Sequence, residues 1–224
     1  MTFVNCPYMH KCSKVDCNSP ICLRKFKLDV MYEKAMFTNK QRTAIPLYPD
    51  KDGTDLKEFE RLANICNYIL EFMEQQKSIF LHSPTCGNGK TSWALRIVQS
   101  YFNAIWGTAD VTKCHALFIN VPHFLISLKQ NISTKSEEIE YIQKNIYDAD
   151  IVIFDDIATK GFTDFEHEHI LNIINTRLEK GLVNIYTSNL KGRELANSIG
   201  DRLYSRVTGN VIDVEFHGKD KRGI

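Results

Sequence analysis

The segment 87–92 carries residue types that bind a nucleoside phosphate: two glycines separated by an asparagine, then lysine, threonine and serine. It lies between an apolar run and a helical pattern. A glycine turn in that position points successive backbone N–H groups into one concavity, at the partly positive start of a helix. Lys90 would add a full charge for the β- and γ-phosphates, and the Thr91 hydroxyl would bind Mg²⁺. We therefore predict a nucleotide-binding loop formed by Thr85, Cys86, Gly87, Asn88, Gly89, Lys90, Thr91 and Ser92.

The loop departs from the G-x-x-x-x-G-K-[ST] signature at its first position, which is Pro84. The last three positions, Gly89, Lys90 and Thr91, are intact. A broken motif of this kind can arise by chance. The order of strand, loop and helix favours nucleotide binding.

Two acidic residues, Asp155 and Asp156, end the apolar segment 150–156. A continuous apolar run is typical of a parallel strand that is covered on both faces, and ligands gather at the carboxyl ends of such strands. Beside a phosphate loop, the first acid would hold Mg²⁺, and the second could orient and deprotonate the attacking water. The alternative is an ordinary strand end with no chemistry.

These residues must be positioned by strands that alternate with helices. We predict strands at 78–83, 115–121, 150–156, 182–189 and 210–216. We predict helices at 28–37, 55–73, 91–105, 121–130, 136–147 and 163–180. Capping boxes are expected for Asp55 with Glu58 and for Thr163 with Glu166. The alternation indicates right-handed βαβ units, and therefore an α/β fold around a parallel sheet.

The composition is that of an ordinary globular chain of 224 residues, with 43% hydrophobic and 25% charged residues. The net charge of +1 means that any nucleic-acid contact depends on local basic clusters. The opening residues lack the pattern of a signal peptide, and no apolar run approaches the ~20 residues that span a bilayer. We expect a cytoplasmic protein with no membrane partner.

Four of the seven cysteines, Cys6, Cys12, Cys17 and Cys22, lie within the first 22 residues. Without a secretion signal, such a cluster more often binds metal than forms disulfides. Four thiolates suit tetrahedral Zn²⁺, with His10 as an alternative ligand. The spacing lacks C-x2-C pairs, so an iron–sulfur cluster and unliganded thiols remain alternatives.

The chain resembles the AAA+ ATPases in a series of segments that occur in the same order: 83–92, 151–156, "YTSN" at 186–189, "DRLYSRV" at 201–207 and "HGKDKR" at 217–222. Their spacing is similar to that of the DnaC/DnaI helicase loaders of bacteria and phages, with the IstB-type transposition ATPases as close kin. The resemblance covers residues 55–224. It implies a three-layer αβα fold with a five-stranded parallel sheet and no C-terminal helical lid.

The resemblance also implies roles for individual residues. Lys90 and Thr91 match the Walker A lysine and hydroxyl, and Asp155 matches the Walker B aspartate that binds Mg²⁺. Asp156 stands where many AAA+ members have glutamate, and its shorter side chain implies slow hydrolysis. The remaining matches are the γ-phosphate sensor Asn189, the arginine finger Arg206 with Arg202 nearby, and the C-terminal sensor Arg222. A solvated helix face is the alternative for Arg202 and Arg206, and a frayed tail for Arg222.

The resemblance implies an ATP-binding helicase loader that delivers or remodels a replicative DNA helicase on single-stranded DNA, with self-association through the ATP site. The expected organisation is a cysteine-rich segment that docks on the partner (1–37), a linker (38–54) and an ATPase domain (55–224). Three alternatives remain. They are an IstB-like transposition helper, a nucleotide-binding adaptor without turnover, and a zinc-dependent DNA-binding module.

Overall fold

The apolar segments form one parallel sheet in a computed structural model that describes residues 20–43, 47–50, 52–131, 135–158, 161–218 and 220. The strands are β1 (Ser78–His82), β2 (Ala116–Asn120), β3 (Ile151–Asp155), β4 (Val183–Ser188) and β5 (Val211–Glu215). Their order across the sheet is β2-β3-β4-β1-β5. Every residue of β1, β3 and β4 is buried, as the apolar runs predict. The five-stranded parallel sheet is therefore confirmed.

Helices cover both faces of this sheet. The described residues form α1 (Pro20–Lys34), α2 (Asn39–Arg42), α3 (Leu56–Asn67), α4 (Ile69–Glu74), α5 (Lys90–Ile105), α6 (Val121–Gln130), α7 (Glu137–Asn145), α8 (Asp164–Glu179), α9 (Gly192–Ile199) and α10 (Asp201–Thr208). Ile79 and Leu81 pack with α1, α3, α4 and α5, whereas Phe80 packs with α6 to α10. Since successive strand residues point to opposite faces, the sheet is the middle of three layers.

The register brings the carboxyl ends of three central strands to one level. Leu81 of β1 lies beside Thr187 of β4, and His82 lies beside Ser188. On the other side of β4, Phe154 of β3 lies beside Tyr186. The loop that follows β1 and the acids that end β3 therefore lie at the same edge of the sheet, with β4 between them.

The first described helix begins earlier than the sequence predicts. The apolar pattern indicates a helix from Leu28, but α1 starts at Pro20 and ends at Lys34. Met31, Ala35 and Phe37 are buried in the same core as α5. The segment predicted to be a linker contains the short helix α2, which Thr38 opens with a capping box.

The predicted helix 55–73 is broken at Tyr68 into α3 and α4. The predicted capping box of Asp55 is also wrong, because its side chain makes no capping hydrogen bond. Asp55 Oδ1 instead accepts a hydrogen bond from the backbone N–H of Asp50, at 2.6 Å. The second capping box, between Thr163 and Glu166, is confirmed at the start of α8.

Helices α9 and α10 were not predicted. Their buried residues Leu195, Ile199, Leu203 and Val207 recur at four-residue steps, which is a helical signal in the sequence. No helix follows β5 within the described residues. Among those residues, no helix has the length and apolar character needed to cross a membrane.

Arg177 of α8 is completely buried. It lies at the amino-terminal ends of the strands, whereas the two acids lie at the carboxyl-terminal ends. Its guanidinium donates to Asn184 Oδ1 at 2.6 Å and to the carbonyls of Ile146, Ala149 and Val183 at 2.6, 2.9 and 2.8 Å. Burial lowers the pKa of Arg177 to about 10, which leaves it charged at neutral pH. Arg177 thus joins the amino-terminal ends of β3 and β4 to α8.

Candidate nucleotide-binding site

The loop after β1 has the backbone of an anion cradle. Gly87 and Gly89 have φ of 76° and 101°, in the left-handed region that side chains disfavour. Gly89 precedes α5, and no side chain caps the start of that helix. The first N–H groups of α5 are therefore directed toward the loop and can bind an anion.

Lys90 lies over this loop and is almost entirely buried, with 6% of its surface exposed. Its ammonium donates to Thr85 O at 3.0 Å and to Asn88 Oδ1 at 3.2 Å. Ser83 Oγ accepts from the Thr85 N–H at 3.1 Å and from the side chain of Asn88. Ser83 and Asn88 therefore fix the shape of the loop, a role for Ser83 that the sequence did not reveal.

The hydroxyl of Thr91 contacts Asp155 directly. Thr91 Oγ1 donates to Asp155 Oδ1 at 2.7 Å, which joins the first turn of α5 to the end of β3. Burial raises the pKa of Asp155, and the hydrogen bond from Thr91 opposes that change. The nearby Asp156 carboxylate also raises the pKa of Asp155. A carboxylate and a hydroxyl are the hard oxygen ligands that Mg²⁺ prefers.

Asp156 begins the turn after β3 with φ of 55°, an uncommon value for a residue other than glycine. Its N–H donates to Thr187 Oγ1 at 2.9 Å, and the Thr187 hydroxyl donates to Asp155 Oδ1 at 2.8 Å. Thr187 thus contacts both acids. Sequence reasoning selected Asn189 from the same "YTSN" segment and missed Thr187.

Asn189 immediately follows β4 and is half-buried. The N–H of Ser83 donates to Ser188 O at 3.2 Å, so the end of β4 is bound to the beginning of the phosphate loop. Asn189 is therefore placed at the level of that loop. The strand that it follows, β4, lies between β1, which leads into the loop, and β3, which ends at Asp155.

Comparison of the sequence with protein-family models returns no match, and comparison with curated proteins also returns none. Solved structures do match. A DnaC helicase loader aligns at a TM-score of 0.64 and 15% identity over 80% of this chain and 99% of its own. DnaI aligns at 0.59 and 19% identity over 80% and 88%. A replication initiator DnaA bound to AMPPCP and single-stranded DNA aligns at 0.58 and 15% identity over 80% and 51%.

The chain shares the fold of these solved structures, a five-stranded parallel sheet between two layers of helices. The predicted α/β fold around a five-stranded parallel sheet is thereby confirmed. The phosphate loop follows β1, which lies between β4 and β5. Pro84 replaces the first glycine of the signature without displacing the strand, loop and helix from their order.

The arginines of the AAA+ resemblance lie apart from these contacts. Arg202 and Arg206 are exposed on one side of α10, whose opposite side buries Leu203 and Val207. Within the described part of the chain, neither arginine forms a hydrogen bond or an ion pair. Arg222 lies outside the described residues.

The predicted zinc ligands Cys6, His10, Cys12 and Cys17 lie outside the described residues. Cys22 is half-buried near the start of α1. In the part of the chain that the structure describes, no group of three or more His, Cys, Asp or Glu residues could hold a metal. Zinc binding by the amino-terminal cysteines stays a prediction.

Proposed function

We propose that the protein is an ATP-binding helicase loader of DNA replication. The observation that carries the proposal is the contact of Thr91 with Asp155, at 2.7 Å, beside an uncapped helix start and the buried Lys90. This arrangement matches the phosphate and magnesium site of a P-loop ATPase. The fold that it shares with a DnaC helicase loader and with DnaI supports a role in DNA replication.

ATP would bind with its phosphates against the N–H groups of the loop and the start of α5. Lys90 would exchange Thr85 O and Asn88 Oδ1 for phosphate oxygens, because a charged acceptor binds an ammonium more strongly than a neutral one. Thr91 and Asp155 would hold Mg²⁺, which would neutralise part of the phosphate charge. Asp156 would orient and deprotonate the attacking water, slowly because of its short side chain.

The active form would contain more than one subunit. Arg206 and Arg202 are exposed and make no ion pair within the described residues, as is required of a finger that enters the site of a neighbouring subunit. Asn189 would contact the γ-phosphate or the water from β4, and Arg222 would add a further contact. ATP binding would thus control self-association.

The proposed partners are a replicative DNA helicase and single-stranded DNA. The support is the likeness to a DnaC helicase loader and to a DnaA bound to single-stranded DNA. Within the segment 1–37, the part that carries Cys6, Cys12, Cys17 and Cys22, folded around Zn²⁺, would dock on the helicase, whereas Met31, Ala35 and Phe37 pack in the core. The site of action would be the cytoplasm of a bacterium, or of the host cell of a phage.

The test is co-purification with the cognate replicative helicase in ATP, in ADP and without nucleotide. We expect the association to depend on the nucleotide and to be lost in Lys90→Ala. Nucleotide-dependent binding to duplex DNA without helicase binding would instead identify an IstB-like helper. Helicase binding that is unaffected by Lys90→Ala would contradict the nucleotide-dependent loader.

A further inference from the structure

Thr187 makes three hydrogen bonds to the turn that carries the acids. Its hydroxyl donates to Asp155 Oδ1 at 2.8 Å and accepts from the Asp156 N–H at 2.9 Å. Its carbonyl accepts from the Ile157 N–H at 3.0 Å. Thr187 is completely buried, so water does not compete for these bonds.

These bonds hold Asp156 in a conformation that its own side chain disfavours. A non-glycine residue in the left-handed region costs energy and persists only when its surroundings fix it. At Asp156, with φ of 55°, the neighbouring N–H groups of Asp156 and Ile157 are both bound to Thr187. Thr187 therefore holds the backbone from which the Asp156 carboxylate projects.

The same hydroxyl fixes Asp155. Asp155 Oδ1 accepts from both Thr91 and Thr187. If the Thr91 hydroxyl were to bind Mg²⁺, the hydrogen bond from Thr187 would still hold the Asp155 carboxylate. Thr187 lies on β4, two residues before Asn189, which follows the strand. The strand that leads to the proposed phosphate sensor is therefore hydrogen-bonded to Asp155, the proposed magnesium ligand.

We propose that Thr187 is the positioning residue of the magnesium site and of the water-activating carboxylate, and that it couples both to β4. This inference rests on the proposed ATPase function. It predicts that the hydroxyl of Thr187 controls the Mg²⁺ dependence of hydrolysis, whereas nucleotide binding in EDTA depends on the phosphate loop alone.

The test compares two pairs of variants that differ in this hydroxyl: wild type with Thr187→Val, and Thr187→Ser with Thr187→Ala. Because each pair keeps a similar side-chain size, packing changes largely cancel within a pair. Hydrolysis is measured against Mg²⁺ concentration, and binding of a fluorescent ATP analogue is measured in EDTA. A loss of about tenfold or more in apparent affinity for Mg²⁺ corresponds to the free energy of one hydrogen bond to a charged group.

We expect both hydroxyl-free variants to need about tenfold more Mg²⁺ for half-maximal hydrolysis and to turn over more slowly. Thr187→Ser is expected to stay close to wild type, with analogue binding in EDTA unchanged throughout. Equal Mg²⁺ dependence within each pair would overturn the inference. If Thr187→Val does not fold, the comparison of Ser with Ala decides alone. Failure of the wild type to bind nucleotide would contradict the proposed function itself.

Discussion

Thr91 Oγ1 and Asp155 Oδ1 are joined by a hydrogen bond of 2.7 Å that crosses from α5 to the end of β3. This contact places a hydroxyl and a carboxylate where one Mg²⁺ ion can bind both. Asp155 is itself buried, and this burial is the main cause that raises its pKa.

Asp155→Asn is expected to remove the Mg²⁺ dependence of nucleotide affinity without unfolding the protein. The amide is a poorer magnesium ligand, but it avoids burial of a charge and can still accept from Thr91 and Thr187. The measurement is ATP affinity with Mg²⁺ and with EDTA, alongside urea unfolding. An affinity that still rises with Mg²⁺ as in the wild type would show that Asp155 does not bind the metal.

Asp156→Asn is expected to lower ATP turnover by about 10² while leaving ATP affinity near wild type, since only water activation is lost. Asp156→Glu provides the matched variant with a longer carboxylate, and it is expected to hydrolyse ATP faster than the wild type. Turnover is measured by phosphate release. If the wild type and both variants show the same negligible turnover but bind ATP, the protein is a nucleotide-binding adaptor.

Arg206→Ala is expected to lower ATP turnover by about 10³ or more, because a finger stabilises charge on the transferred phosphoryl group. Mixing Arg206→Ala with Asp156→Asn should restore part of the activity, since each variant supplies what the other lacks. Arg193→Ala is the control, as Arg193 is also exposed but lies 4.0 Å from Asp201. Activity that mixing does not restore would contradict action in a neighbouring subunit.

Arg177→Met is expected to lower the free energy of unfolding by about 3 kcal/mol or more. The change leaves the carbonyls of Ile146, Ala149 and Val183 and the side chain of Asn184 buried without their donor. The control is Lys180→Ala, which removes an exposed ion pair with Asp148 and should change stability by less than about 1 kcal/mol. Urea unfolding of both variants checks the difference, and equal losses would contradict the assigned role.

His115 is expected to make stability depend on pH. Its Nδ1 lies 2.7 Å from Asp150 Oδ2, and this hydrogen bond raises the pKa of His115 above its ordinary value of 6.5. The stabilising contribution is therefore fully present below pH 6.5 and is lost as the pH rises through the higher pKa of the folded state. His115→Gln should flatten this decline in urea unfolding, whereas His123→Gln, at an exposed position, should not. If the free energy of unfolding of His115→Gln falls with pH as steeply as that of the wild type, the His115–Asp150 pair is not the source of the decline.

Much of the fold could be predicted because its signals are local. The apolar runs of β1, β3 and β4 were located within one or two residues, and the Thr163–Glu166 box was correct. The break at Tyr68 was missed because the apolar stripe continues across it. The Asp55 box failed because Asp50 occupies its carboxylate, a contact that depends on the path of the preceding loop.

Only some contacts of the candidate site could be anticipated from the sequence. Lys90, Thr91 and Asp155 follow from spacing and residue type, but Thr187 does not. Its role depends on the register of β4 beside the end of β3, which requires the order of strands in the sheet. Burial of Arg177 was likewise out of reach, since its four acceptors come from two separate segments of the chain, one before β3 and one in β4.

The most direct test of the account is a calorimetric titration of the wild type and of Lys90→Ala with ATP and Mg²⁺. We predict saturable binding of one nucleotide per wild-type chain and a loss of at least about tenfold in affinity in Lys90→Ala. Absence of binding to a folded wild type, or equal affinity of the two proteins, would contradict a phosphate site at the start of α5.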